Sequence, residues 1–344
     1  MKKISLLLVF VLVLSIALVG CGGSDAPQGE GDADPDKVYI MRMGAAAVEP
    51  THVAKSITEF KDAIEAKTDR IEVEVYLGNS LGSNAQMISG LQGGTVEGVV
   101  LPTPFFAPAI PEYNLLDIPG MFRSEEEYFE MLMDKSILPS LNEAIESKGM
   151  VAAGYLYPHP QITVMSKEIK SFDELKGLKI RCHDGAVKQE ELKAVGAIPT
   201  IMSTADVPLA LQQGTIDGMQ SDVIFINGNK LYDSAKYVTN MPNYQSANVM
   251  MLSKSFLDSL PEDLRELVLD TVNEVLVEEI VPYVQQMVVR CYDMIEENGG
   301  IIVDVSDEFL QQYDEATKDV GPKYIEANPG MQAIYDEILA YINR

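Results

Sequence analysis

Ser171-Phe-Asp-Glu-Leu-Lys-Gly-Leu-Lys-Ile-Arg-Cys182 opens a stretch that continues to Asp222 and reads as strand, helix, strand, helix and strand. The capped turn Ser171–Gly177 closes on glycine and delivers the alternating β-type run Leu178–Cys182. Helix formers then extend to Val195, Gly196 stops them, and Ile198–Met202 is extended. Ala205–Gln213 is helical again, and a last strand covers Met219 to Asp222. Arg181 sits near the end of the first strand.

The stretch has an internal echo: Leu91-Gln-Gly-Gly-Thr-Val-Glu-Gly98 returns as Leu211-Gln-Gln-Gly-Thr-Ile-Asp-Gly218. The order upstream of the first copy is the same. Val38–Met43 reads extended, His52–Lys67 helical, Ile71–Leu77 extended, Asn84–Leu91 helical and Val96–Leu101 extended. Two βαβαβ units imply an α/β protein of two lobes, each with a largely parallel sheet and right-handed crossovers. Ligands of such sheets bind outside the carboxyl ends of the strands, so facing lobes make a cleft, with Arg181 pointing into it.

A chain of 344 residues suits two lobes better than one core. With 47% hydrophobic residues it is globular, and a formal charge of −26 excludes an electrostatic nucleic-acid binder. At the N-terminus, Lys2-Lys3 precede the apolar run Ile4–Val19 and the ending Leu18-Val-Gly-Cys21, the pattern of a signal peptide over residues 1–20. The ending resembles a bacterial lipobox, which implies cleavage before Cys21, lipidation of that cysteine and a membrane-anchored, extracytoplasmic protein. Residues 21–37 are rich in Gly, Asp, Pro and Glu and read as a flexible tether. Cys182 and Cys291 read as buried free thiols, although a disulfide is open to them.

In chain order, Val53, Ile57, Phe60 and Ile64 recur at helical spacing. Five prolines with Phe105, Phe106 and Tyr113 make residues 99–119 a rigid, mostly non-helical wall. Glu125–Lys148 reads as a helix, and Met150–Leu156 as a strand crossing to lobe two. Prolines on both sides of His159 predict an irregular crossing that serves as hinge and cleft lining. A second crossing falls near Ala247–Leu252. From Pro261 to Asn298 a helical stripe runs on, long enough to brace both lobes and kinked at Pro282. The expected division is 38–158 with 247–286 as lobe one, and 159–246 with 287–344 as lobe two.

The segments Ile71-Glu-Val-Glu-Val-Tyr with Leu81-Gly82, Leu115-Leu-Asp-Ile-Pro119, Leu175-Lys-Gly-Leu-Lys-Ile-Arg181 and Leu211–Gly218 resemble, in order and spacing, the solute-binding proteins of tripartite ATP-independent periplasmic (TRAP) transporters. The resemblance implies a two-lobed, periplasmic-binding-protein-like fold that traps a small organic acid and hands it to an integral-membrane TRAP transporter. It also implies that Arg181 holds the ligand's carboxylate through a bidentate pair, since guanidinium geometry matches a carboxylate. Two positions depart from the family. A second arginine falls on Gln161 and an asparagine falls on Ser221, which suits a monocarboxylate with an uncharged body.

Asp184, Thr204 and Met219 match further lining positions, Met219 also reading as core. Tyr155, Tyr157 and His159 either stack on the ligand or fill the hinge, and Asn84 and Thr103 represent the strand-end loops of lobe one. No cofactor is expected. The three histidines, His52, His159 and His183, have no metal spacing, and no nucleophile or phosphate-loop motif occurs, so a binding protein is favoured over an enzyme. An ABC-importer binding lipoprotein and an extracytoplasmic sensor remain as alternatives.

Overall fold

Two mixed sheets carry the architecture. The computed structural model describes residues 36–122, 124–241 and 245–344; the expected signal peptide, nearly all of the expected tether and Cys21 lie outside the described residues.

Lobe one opens with β1 (Tyr39–Gly44), β2 (Ile71–Tyr76) and β3 (Gly98–Pro102), and is completed by β4 (Met150–Tyr155) and, from far along the chain, Asn248–Ser253. Lobe two is built on β5 (His159–Met165), β6 (Lys179–Cys182), β7 (Ile198–Ile201), β8 (Gly218–Asp222), β9 (Tyr237–Asn240) and the short β10 (Gln245–Ser246). Asn248–Ser253 is therefore β11, and β12 (Ile301–Asp304) closes the second sheet. The orders are β2-β1-β3-β11-β4 and β12-β9-β5-β8-β6-β7, with β10 on β5. Each sheet has a parallel core of three strands, β2-β1-β3 or β7-β6-β8, flanked by an antiparallel neighbour, β11 or β5.

The sequence echo is a structural one. Gly94 and Gly214 both take φ of 68° where a helix ends, and Thr95 and Thr215 each return their backbone N–H to a carbonyl five residues back, at 2.8 and 3.0 Å. Gly98 and Gly218 then begin β3 and β8, and in both a Cβ would lie 2.2 Å from a methionine sulfur, Met43 or Met165. Only glycine permits these approaches.

The helix His52–Lys67 has the bounds read from the sequence because Thr51 caps it, its Oγ1 accepting from Ala54 N at 3.3 Å, and because Val53, Ile57, Phe60 and Ile64 are buried. Other segments depart from expectation. Residues 125–148 form two helices, Glu125–Met133 and Pro139–Ser147. Asp134 ends the first by accepting from Ser136, and Pro139 fits only a fresh first turn. The proline-rich wall contains 3₁₀ turns at Thr103–Phe106 and Pro111–Asp117. The first crossing is regular: β5 begins at His159 itself, and among the described residues Pro160 is paired only with Gln245, so its missing N–H breaks no central ladder.

The crossings lie side by side. Ser246 pairs with His159 in lobe two and Val249 with Tyr155 in lobe one, with Leu156 N donating to Asn248 O at 2.8 Å between them. The hinge is thus an antiparallel ribbon. Behind it, one helical rod runs from Glu262 to Glu297, with a π-turn at Val275–Ile280 just ahead of Pro282. The wider turn absorbs the donor that proline lacks. Its first half packs on His52–Lys67 and β4, its second on Val223–Gly228 and β12.

Within 287–344, expected in lobe two, the last helix also reaches lobe one. Ile334 and Ile338 of Gln332–Ile342 join the lobe-one cluster of Tyr113, Leu116, Tyr128 and Leu141, because an apolar helix face goes where aromatic surface is left open.

Candidate functional site

The C-terminal ends of the parallel strands converge on a cavity of about 320 Å³ between the lobes. Lobe two supplies Arg181 from β6, Gln220, Ser221 and Asp222 from β8, and Thr204 from the turn after β7. Lobe one supplies Asn79 from the loop after β2, Asn84 from the start of the helix Asn84–Gly93, and His52 from the start of its own helix. His159 and Asn248 come from the crossing strands, and Phe105 from the proline-rich wall.

Arg181 is 4% exposed. Strand alternation sends Ile180 and Cys182 into the lobe-two core and Arg181 to the opposite face. Its Nε and Nη2 both donate to the Met202 carbonyl, at 3.1 and 3.0 Å, which fixes the plane of the guanidinium. Among the described contacts it is that carbonyl, and not Asp184, that accepts from Arg181. Asp222 is the one carboxylate among the described lining residues, and it is occupied as a helix cap, Oδ1 accepting from Phe225 N at 2.7 Å. The remaining polar lining is amide, hydroxyl and imidazole.

Of the residues singled out in the sequence, Arg181, Gln161, Ser221, Thr204 and Asn84 line this cavity. Four others do not. Asp184 follows the strand end, is exposed, and accepts from Gln189 at 3.4 Å. Met219 alternates into the core at 1% exposure. Tyr157 packs edge-on against Phe129, and its hydroxyl donates to Glu126 at 2.8 Å. Thr103, within the wall itself, is fully buried. Cys182 and Cys291 are both free and buried.

Sequence reading missed the meeting of the histidines. His52 and His159 cross at 88° with ring centroids 5.1 Å apart, and Asn248 Nδ2 lies 3.1 Å from His52 Nε2. Their one legible signal was place: His52 opens a helix after a strand, and His159 and Asn248 open the crossing strands. Burial, reinforced by His159, lowers the His52 pKa to about 3. Burial, with Lys188 and Arg181 nearby, does the same to His183, also to about 3. Both rings are neutral at ordinary pH. Among the described residues no cluster of three or more His, Cys, Asp or Glu could hold a metal ion.

Behind His183 lies a buried charge cluster that joins the lobes. Lys188 and Glu191, on the helix Ala186–Ala194, pair with each other, and Tyr313 donates to Glu191. Asp117 of lobe one, 1% exposed, has Oδ2 3.4 Å from His183 Nε2, and Asn114 Oδ1 accepts from Ala186 N at 2.9 Å. Burial raises the Asp117 pKa to about 7; Lys188 opposes that and Glu191 adds to it.

A family model described as bacterial extracellular solute-binding protein, family 7 (DctP), matches residues 43–328. The 2,3-diketo-L-gulonate-binding periplasmic protein YiaO of Escherichia coli is 26% identical over 225 residues, 65% of this chain and 68% of that protein. The C4-dicarboxylate-binding protein DctB of Bacillus subtilis is 24% identical over 293 residues, 84% of this chain and 82% of that one. The chain spans about two thirds of the length of several curated relatives it matches. In fold it is similar to a TRAP periplasmic solute-binding protein of Sulfitobacter sp. NAS-14.1 with bound β-D-galacturonate, at 22% identity, 87% coverage of this chain, 99% of that chain and a TM-score of 0.82. A Haemophilus influenzae counterpart with bound L-gulonate gives 20%, 88%, 99% and 0.81.

Proposed function

The chain belongs to the DctP family, bacterial extracellular solute-binding protein family 7, and from that membership we propose that it captures a small organic acid between its lobes and delivers it to a TRAP-type membrane transporter. Members of this family are the binding proteins of TRAP transporters and not enzymes. The observation that carries the ligand class is Arg181, the one Lys or Arg among the described lining residues, desolvated and held in a fixed plane by Met202. A guanidinium so placed matches a carboxylate, and removal from water strengthens the pair.

Relatives with known ligands support this reading: the compounds named for YiaO, DctB and the galacturonate- and gulonate-bound structures are all carboxylates. Closure about the hinge ribbon would exclude water from the pair, with Gln161, Ser221, Thr204 and Asn84 completing the shell. The lipobox-like ending at Cys21 supports a lipid anchor on the outer side of the cytoplasmic membrane, which would keep the binding protein near its transporter.

The test is Arg181→Ala. Calorimetric titration should show affinity for any carboxylate ligand falling by about 100-fold or more, the cost of losing a charge-assisted bidentate pair, while circular dichroism remains that of the parent. Unchanged affinity would remove Arg181 from the site.

A further inference from the structure

Away from the hinge ribbon the lobes meet again at a buried acid–base pair. Asp117 ends the turn Pro111–Asp117, whose Leu115 and Leu116 belong to the lobe-one core, and His183 follows the last residue of β6 in lobe two. The two residues are 1% and 9% exposed, and Asp117 Oδ2 faces His183 Nε2 at 3.4 Å. Neither carboxyl oxygen and neither ring nitrogen has a hydrogen-bond partner among the described residues. The ring is also held from behind: a Cβ on Gly185 would lie 2.5 Å from its Cε1 and 2.7 Å from its Nδ1, so only glycine lets the backbone close on it. Beside the pair, Asn114 Oδ1 accepts from Ala186 N at 2.9 Å, and Val187 packs into the lobe-one cluster. Two titratable groups, one from each lobe, are thus shut away against each other, and ligand capture as described above uses neither.

Where such a pair keeps its proton depends on water. In water the carboxyl titrates near 3.8 and the imidazole near 6.5, so between those values the proton sits on the ring and both groups are ions. Burial penalises both ions. The neighbours add to that penalty: Lys188 and Arg181 disfavour an imidazolium, and Glu191 disfavours a carboxylate. Lys188 does favour the carboxylate, but it is itself paired with Glu191, to which Tyr313 donates. Tyr128 and Tyr324, on the two lobe-one helices around Asp117, and Cys182, beside His183, all have raised pKa values and stay neutral. With the lobes packed, the pair is therefore uncharged: the proton is on Asp117, aimed at His183 Nε2, and the ring carries its own on Nδ1.

We propose that Asp117 and His183 form a one-proton latch between the lobes, in which the pair keeps its proton on the carboxyl while the lobes are packed and on the ring once they part. On parting, the O–H bond of Asp117 breaks and an N–H bond forms at His183 Nε2. An uncharged pair becomes two hydrated ions, and no proton is gained from or lost to solvent. Either group alone would tie the lobes to pH. A carboxyl buried by itself takes up a proton and favours packed lobes in acid, whereas an imidazole buried by itself gives one up and favours parted lobes in acid. Together the two effects oppose, and between about pH 4 and 6.5 they cancel. A protein that works outside the cytoplasm thereby keeps one lobe equilibrium across the pH it meets. The latch acts with no ligand bound, so it stands or falls apart from the carboxylate reading.

The experiment is hydrogen exchange of the full chain, read at the Ala186 amide, which is bonded across the interface to Asn114. Rates at about pH 5, 6.5 and 8, each divided by the intrinsic rate at that pH, give the opening constant of the contact. In the parent it should vary by less than about threefold over this range. In Asp117→Asn, where only the imidazole titrates, it should rise about tenfold or more as pH falls from 8 to 5. In His183→Gln, where only the carboxyl titrates, it should rise about tenfold or more as pH climbs from 5 to 8. Asparagine keeps the shape of the carboxyl, and should His183→Gln fail to fold, the parent and Asp117→Asn decide the matter alone. An opening constant that varies tenfold or more in the parent overturns the latch. So does an Asp117→Asn profile as flat as the parent's, and so do two variants that slope the same way.

Discussion

Replacing Asp117 by asparagine should change how stability depends on pH, in a direction fixed by burial. The carboxyl is 1% exposed, its pKa is raised from an ordinary 3.8 to about 7, and its surroundings include His183, Lys188, Glu191, Tyr128 and Tyr324. In the unfolded chain it ionises near pH 4. Between about pH 4 and 7 the folded state therefore holds a proton that the unfolded state has released, so stability falls as pH rises through that window and is level above it. A shift of about three units amounts to at most ~4 kcal/mol. Asparagine cannot ionise, so the variant escapes this loss. The buried histidines work the other way. His52 and His183, with folded pKa values of about 3, destabilise the fold as pH drops below their unfolded value of 6.5. His52 does so equally in both proteins; His183 touches Asp117 but, with a folded pKa of about 3, is neutral at pH 5 and above, so both cancel in the comparison. Thermal unfolding at pH 5 and at pH 8.5 is the assay. About two of those units fall between the two pH values, ~2.7 kcal/mol, so the midpoint of Asp117→Asn relative to the parent should rise between them by up to roughly 5 °C. Parallel pH profiles would show that Asp117 is ionised throughout and that the burial argument fails.

Gly218→Ala should destabilise lobe two by about 1–3 kcal/mol, seen as a lower denaturation midpoint, because the new Cβ would meet Met165 Sδ at 2.2 Å and the Val164 carbonyl at 2.7 Å. Gly98→Ala meets only side-chain ends, of Met43 and Leu252, and should cost less; equal losses would mean that the backbone contact yields. Cys21→Ser should move the protein from the membrane fraction to the soluble extracytoplasmic fraction, and continued membrane retention would exclude lipidation at that cysteine.

What could be read from the sequence were features enforced over short spans. The helix His52–Lys67 has a cap and an apolar period, and both are local. The repeated Gly-Thr-x-x-Gly turn forces two lobes to the same geometry through steric demands that any reader of glycine can infer. Arg181 was legible for the same reason: an alternating strand of known direction says which face a side chain takes. The break at Asp134 was hidden because acidic and apolar residues continue the helical pattern across it, and only the side-chain capture of Ser136 ends it. The histidine–amide contact was out of reach. His52 lies 107 residues from His159 and 196 from Asn248, and no periodicity relates positions brought together by two crossing strands and a helix start.

That origin bears on how the site works. His159 and Asn248 begin the two strands of the hinge ribbon, next to the Leu156 N–Asn248 O bond that ties one crossing to the other. They lie near any axis about which the lobes turn, so a contact to them changes little with lobe angle. Arg181 stands on the lobe-two sheet and His52 on a lobe-one helix, and a guest that touches both must span the lobes. A ligand closes a hinge only through interactions that differ between open and closed states. The same polar shell therefore has two tasks. On the proposed reading, Asn248 and His159 would add affinity at every lobe angle, and a guest spanning Arg181 and His52 would supply the differential that favours closure. A compound with a carboxylate but no contact to lobe one would occupy Arg181 without drawing the lobes together, so on the proposed reading contact with lobe one is a condition of closure as well as of selectivity.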